Sequence, residues 1–159
     1  MGDEERERGT PRPPGNDAQH SARTGAAQPA AHTGRALRIL VADDERNVRR
    51  SLSLLLRSAG HAVVECEGGR EAVERYGRDW REIDVVILDL TMPDLSGGEV
   101  FTAIRAANPR APVVVSSGFG LGGGAESLAR EPGVLALPKP YTSEELKRVL
   151  AEVVGSRAD

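Results

Sequence analysis

Apolar residues in this chain fall into short continuous runs, separated by stretches in which they recur at helical spacing. The runs are Leu37 to Ala42, Ala62 to Cys66, Ile83 to Leu88, Pro112 to Ser116 and Val134 to Leu137. Runs this short and this apolar predict strands buried on both faces, as in a parallel sheet. Between the first two, Val48, Leu52, Leu55 and Ala59 recur at spacings of 4, 3 and 4, and Gly60 is placed to cap the helix they predict. A second helix is expected near 69–78 with Ala72, Val73 and Tyr76 inward, and a third near 97–107 burying Val100, Phe101 and Ile104. Ser96 and Glu99 open that third helix in capping-box spacing, and Thr142 and Glu145 open the last one, which buries Leu146, Val149, Leu150 and Val153. Gly118, Gly120, Gly122, Gly123 and Gly124 make the fourth helix start late and hold weakly.

Five alternations of strand and helix specify an α/β fold: a doubly wound, five-stranded parallel sheet with five helices on its two faces. In such sheets a site lies beyond the carboxyl ends of the strands, where the strand order reverses. The chain is loaded with chemistry at those ends. Asp43-Asp44 follow the first strand, Asp89 ends the third, Ser117 follows the fourth and Lys139 follows the fifth. Each alone reads as a turn or helix-capping device. A single site explains all of them together.

Composition narrows the setting. Residues 1–36 hold no Val, Ile, Leu, Phe, Tyr or Trp and four of the chain's ten prolines. They cannot bury enough apolar area to offset chain entropy, so a disordered N-terminal leader is expected there, a single domain over 37–155, and a short tail over 156–159. Lys+Arg number 21 against Asp+Glu 24, a formal net charge of -3, without the basic excess of a nucleic-acid binder. Cys66 is the one cysteine and lies in an apolar run, which predicts a packed thiol and excludes an internal disulfide. His20, His32 and His61 share no metal-ligand spacing. The N-terminus has no apolar segment of a signal peptide and no run approaches a membrane span, so the cytoplasm is the expected location.

Three gathered aspartates repel: two unit charges about 4 Å apart cost roughly 4 kcal/mol at an effective dielectric of 20. The pocket must hold protons or a cation, and an oxygen-only donor set selects a hard ion such as Mg²⁺. With that charge and Lys139 neutralising a phosphoryl group, the Asp89 carboxylate is a candidate nucleophile that would form an acyl phosphate.

Asp43-Asp44, Asp89 with Met92-Pro93 and Gly97, Ser117-Gly118 and Lys139-Pro140 together resemble the receiver domain of two-component response regulators. The resemblance covers about 37–155, and its wording is most similar to receivers of hybrid sensor kinases. It implies a flavodoxin-like sheet of strand order 2-1-3-4-5. It implies Asp89 as phosphoacceptor, Asp44 as a direct Mg²⁺ ligand, Asp43 as a ligand mainly through water, and the carbonyl of Thr91 as a further ligand. Ser117 would bond a phosphoryl oxygen, Lys139 would pair with the phosphoryl group, and the Lys139–Pro140 bond would be cis. The implied donor is a histidine kinase or a histidine phosphotransfer protein. One position departs from the family pattern: many receivers carry Tyr or Phe three residues before the lysine, where this chain has Ala136.

The leading expectation is thus a stand-alone receiver that is no enzyme beyond its own Mg²⁺-dependent phosphorylation and dephosphorylation. Its signal would leave through an unidentified downstream protein, by homodimerisation over the fourth helix, fifth strand and last helix, or by further phosphotransfer. A receiver-like binding module that works without phosphorylation is the alternative, left open by Ala136. A phosphatase with an aspartyl nucleophile would want a second aspartate two residues on, where Thr91 stands. Nucleotide binding fares worse, since Gly122-Gly123-Gly124 lacks the phosphate-loop lysine.

Overall fold

The computed structural model describes residues 35–118 and 124–156. The expected leader therefore lies outside the described residues except for Arg35 and Ala36, as do 119–123 of the glycine-rich stretch and the tail beyond Ser156. Arg35 pairs with Asp84, which also accepts from the Arg38 N–H at 2.8 Å, so the chain entering the first strand is tied to the residue preceding β3.

Strand and helix alternate five times: β1 (Arg38–Ala42), α1 (Arg46–Ser58), β2 (Ala62–Cys66), α2 (Gly69–Asp79), β3 (Val85–Asp89), α3 (Gly97–Ala107), β4 (Val113–Ser117), α4 (Ala125–Ala129), β5 (Val134–Pro138) and α5 (Ser143–Gly155). The strands form one parallel sheet in the order β2-β1-β3-β4-β5, as the resemblance implies. The order reverses between β1 and β3, which places their carboxyl ends side by side.

Each strand serves two apolar layers, which is why its sequence is a continuous run and not an alternating one. Leu40, Ala42, Val86, Leu88, Val113 and Val115 face α2 and α3. Ile39, Val41, Val85, Ile87 and Val114 face α1 and α5. All five residues of β3 are buried. At about 1.5–3 kcal/mol for each fully buried Val, Leu or Ile, the two layers make the central strands a rigid support for whatever stands at their tips.

Helix ends follow the local chemistry. Gly60, at φ 97°, takes the left-handed conformation that closes α1, with its N–H bonded to Arg57 O at 2.9 Å and the His61 N–H to Leu56 O at 3.1 Å. Both expected capping boxes form, at Ser96–Glu99 and Thr142–Glu145. Gly97 is required for a different reason: a Cβ there would stand 2.8 Å from Leu90 Cα, so the first turn of α3 packs directly on the chain leaving β3. α4 is a single short turn beginning at Ala125, late as its glycines predict.

The phase of α1 differs from expectation. Its buried residues are Arg49, Leu52, Ser53 and Leu56, while Val48, Leu55 and Ala59 are half-buried. The periodic stripe of Val48, Leu52 and Leu55 borders a surface groove shared with Pro140 and Tyr141; of the three only Leu52 is buried in the core, with Leu55 packed against its edge. A buried arginine is invisible to a search for apolar periodicity.

Candidate functional site

Asp43 leaves β1 held on three sides. Its N–H donates to Cys66 O at 3.2 Å, its carbonyl accepts from Arg49 Nη1 at 2.8 Å, and its Oδ1 accepts from the Glu45 N–H at 2.9 Å. The side chain is buried, whereas that of Asp44 is exposed. Asp89 is the last residue of β3 and is also buried. One carboxylate oxygen from each of Asp43, Asp44 and Asp89 lies within 4.8 Å of the others. Asp43-Asp44 follow β1 and Asp89 ends β3, and the switch in strand order sets those two strand ends side by side.

Lys139 completes the pocket from β5. Its Nζ is 3.0 Å from Asp43 Oδ2 and 3.7 Å from Asp89 Oδ1. Its own N–H donates to Ser117 O at 2.9 Å, and the Lys139–Pro140 bond is cis. Thr91 turns back on Asp89, giving its N–H at 3.2 Å and its Oγ1 at 3.1 Å to Oδ1. Ser117 ends β4 one position beyond Ser116, the register partner of Asp89, and so stands at the same sheet edge. Ala136 pairs with Val115 in the neighbouring register.

The electrostatics are those of a crowded anionic pocket. Burial is the main cause that lifts the Asp89 carboxyl above its ordinary range, and the Asp43 charge adds to it, against the opposing pull of Thr91 and Lys139. Burial alone would lower the Lys139 ammonium, but its bond to Asp43 and the charge of Asp89 outweigh that and raise it. The donor set fits a small hard cation: three carboxylates, no histidine and no thiolate among the gathered groups, with Asp44 exposed and open to water. Cys66 takes no part, since burial pushes its thiol up to about 12.

Two residues of this neighbourhood escaped the sequence reading. Arg49 is buried, holds the Asp43 carbonyl and pairs with Glu65 at 3.7 Å and Glu67 at 3.4 Å. Asp94 accepts from the N–H groups of Gly69 and Arg70, both at 2.9 Å, and ties the β3–α3 loop to the start of α2. Tyr76 is inward as expected, buried with its hydroxyl accepting from Asn108 Nδ2 at 3.2 Å, and the half-buried Trp80 packs against the same core layer.

Known proteins share this fold. The family model of the response regulator receiver domain matches residues 39–151. Response regulator MprA of Mycolicibacterium vanbaalenii is 36% identical over 118 residues, which cover 69% of this chain and 47% of that protein. This chain thus spans about half the length of that relative. Among solved structures, a response regulator receiver domain protein from Clostridium thermocellum superposes with a TM-score of 0.69 at 27% identity, covering 77% of this chain and 97% of that one. The receiver domain of the hybrid histidine kinase CckA superposes with a TM-score of 0.63 at 31% identity, covering 74% and 98%.

Proposed function

The chain belongs to the response regulator receiver domain family, and from that premise we propose that Asp89 accepts a phosphoryl group from a phosphohistidine and that the acyl phosphate controls a protein–protein contact. The observation that carries this reading is the gathering of Asp43, Asp44 and Asp89 within 4.8 Å, with Lys139 Nζ 3.0 Å from the first and 3.7 Å from the last. An Asp89 oxygen attacks phosphorus, the P–N bond to the imidazole breaks, and the electron pair stays on the ring nitrogen. Phosphoryl transfer of this kind asks little covalent work of the protein beyond alignment and charge stabilisation.

Each residue has a part. Thr91 fixes Asp89 through Oδ1. Lys139 stands close enough to follow the incoming charge from Asp43 to the phosphoryl oxygens, and Ser117 offers its hydroxyl to one of them. Asp43, Asp44, Asp89 and the Thr91 carbonyl would hold Mg²⁺, which supplies charge neutralisation at the phosphoryl oxygens. The donor would be a histidine kinase or histidine phosphotransfer protein in the cytoplasm. Its helix would lie in the apolar groove of Val48, Leu52, Leu55, Pro140 and Tyr141, which opens beside Lys139. The downstream contact, with another protein or a second copy, would use α4, β5 and α5.

Incubation with acetyl phosphate and Mg²⁺ tests the reading. Intact-mass spectrometry is expected to find one added phosphoryl group that Asp89→Asn abolishes; no gain in the unaltered protein would sink it. A phosphorylation-independent binding module is a second reading, favoured by one feature: Ala136 leaves the β5 position beside Val115 without the aromatic ring that many receivers move on activation.

A further inference from the structure

Asp94 joins the loop that leaves β3 to the first turn of α2. Its Oδ1 accepts from the Gly69 N–H and its Oδ2 from the Arg70 N–H, both at 2.9 Å. The approach is close: a Cβ on Gly68 would stand 2.9 Å from Asp94 Oδ2, and one on Gly69 would stand 2.8 Å from Leu95 Cβ. At the other end of the same loop, Asp89 belongs to the acidic cluster. The peptide unit that carries the Thr91 carbonyl lies between these two anchors. On its near side Thr91 gives its N–H and Oγ1 to Asp89 Oδ1. On its far side Met92 is buried, and Pro93, with its ring-locked φ, leads directly to Asp94. A peptide unit is planar, so fixing the residues on both sides of it narrows the directions its carbonyl can take.

We propose that Asp94 is a positioning residue for the metal site: by clamping the loop to α2 it presets the Thr91 carbonyl for Mg²⁺, and the bound ion in turn tightens the clamp. The inference rests on the reading of that carbonyl as a Mg²⁺ ligand. Asp94 is not one of the gathered carboxylates, so it acts through Thr91 and not on the ion. Its effect is one of preorganisation, because a carbonyl already restrained loses less freedom when the ion takes it. Mg²⁺ demands near-ideal octahedral geometry, which makes it sensitive to where each ligand stands. Linkage makes the effect reciprocal. Whatever factor the clamp adds to Mg²⁺ affinity, bound Mg²⁺ must add to the stability of the clamp, and that stability is read at the Gly69 and Arg70 N–H groups.

The test titrates Mg²⁺ into the unaltered protein, Asp94→Asn and Asp94→Ala by calorimetry, at a temperature where all three are fully folded. Both variants lose the same charge, so the field of the carboxylate cancels between them. Asn keeps one acceptor oxygen for the two N–H groups, and Ala keeps none. Mg²⁺ is expected to bind Asp94→Ala about fivefold more weakly than the unaltered protein, the lower end of coupling between linked sites, with Asp94→Asn between the two. In the unaltered protein, amide exchange followed by NMR is expected to slow about fivefold at Gly69 and Arg70 when Mg²⁺ saturates the site. Equal affinity in the Asn and Ala variants overturns the proposal, as does exchange at those two groups that Mg²⁺ leaves unchanged; a residue serving stability alone would give both results. A protein that binds no Mg²⁺ removes the metal reading and this inference with it, an outcome distinct from normal binding that the variants do not disturb.

Discussion

Lys139 is bonded to Asp43 and only approaches Asp89: its Nζ stands 3.0 Å from Asp43 Oδ2 and 3.7 Å from Asp89 Oδ1. The ammonium therefore acts as a resident counter-ion for two buried carboxylates, in the place that a phosphoryl group would later claim. An ammonium can shift by less than an ångström between such partners without breaking the charge balance. That gives the pocket a way to exist before any ligand arrives.

Removing the ammonium should expose this role. Lys139→Met leaves Asp43 and Asp89 buried with like charge, and the metal-free protein is expected to lose about 2 kcal/mol of stability, the size of a hydrogen bond to a charged group. Added Mg²⁺ supplies the missing positive charge, so the deficit is expected to shrink. Urea unfolding with and without Mg²⁺ reads both effects; a deficit that Mg²⁺ leaves untouched would contradict the counter-ion role. Labelling by acetyl phosphate is expected to slow by about 100-fold, as when one preorganised donor to a developing charge is lost.

Asp89 should show the opposite sign, because its carboxyl is held above the ordinary range by burial and by Asp43. A folded-state value above the unfolded one contributes stability below the ordinary carboxylate range, and this is lost as pH rises through the folded value. At neutral pH the ionised group is a burden. Asp89→Asn is therefore expected to stabilise the metal-free protein, on the order of 1 kcal/mol, a usual size for one site. The gain should vanish as pH falls below the ordinary carboxylate range, and paired melting curves at neutral and acid pH would show whether it does.

The architecture was legible because the strands are buried on both faces. A run such as Val85-Val86-Ile87-Leu88 has no other stable use in a chain of this size, and Asp89 at its tip marks the carboxyl edge. The acids, Lys139 and Ser117 were legible for the same reason, as polar residues that interrupt apolar runs at their ends. Arg49 and Asp94 were not. Arg49 lies in an amphipathic helix, where a charged residue is assigned to the solvent face, yet its guanidinium is buried against a backbone carbonyl and two glutamates. Asp94 bonds backbone N–H groups 24 and 25 residues earlier in the chain, a contact with no sequence signature. The α1 phase error has a related cause: a groove can be as apolar as a core, so Val48 and Leu55 gave the same signal as buried residues.

Arg49 should matter to the metal site although it bonds only the backbone of Asp43. Arg49→Met keeps most of the buried stem but deprives the Asp43 carbonyl of its 2.8 Å donor and leaves Glu65 and Glu67 without that partner. A loss of about 2 kcal/mol in stability is expected, in line with a charged hydrogen bond removed from a buried acceptor. Because the same carbonyl fixes the turn carrying Asp43 and Asp44, Mg²⁺ affinity is expected to fall several-fold as well. Calorimetric titration at a temperature where the variant is fully folded separates the two effects, and unchanged affinity would confine Arg49 to stability.

Asp94 offers the complementary pH signature. Its carboxylate accepts from the Arg70 and Gly69 N–H groups, and these bonds hold its carboxyl below the ordinary range. A depressed folded-state value contributes stability above the unfolded value, and this is lost as pH falls through the folded one. Asp94→Ala removes the acceptor from two N–H groups at the start of α2 and frees the loop that leads back to Thr91, so the variant is expected to melt lower at neutral pH. The deficit should narrow in acid, where the unaltered protein loses the same bonds by protonation. Asp94→Asn keeps one good acceptor oxygen and is expected to fall between the two at neutral pH. The opposite pH trends of the Asp89 and Asp94 variants, read as differences from the unaltered protein, cancel the titration of every other carboxyl. Parallel trends would mean that one of the two environments is not as the structure has it.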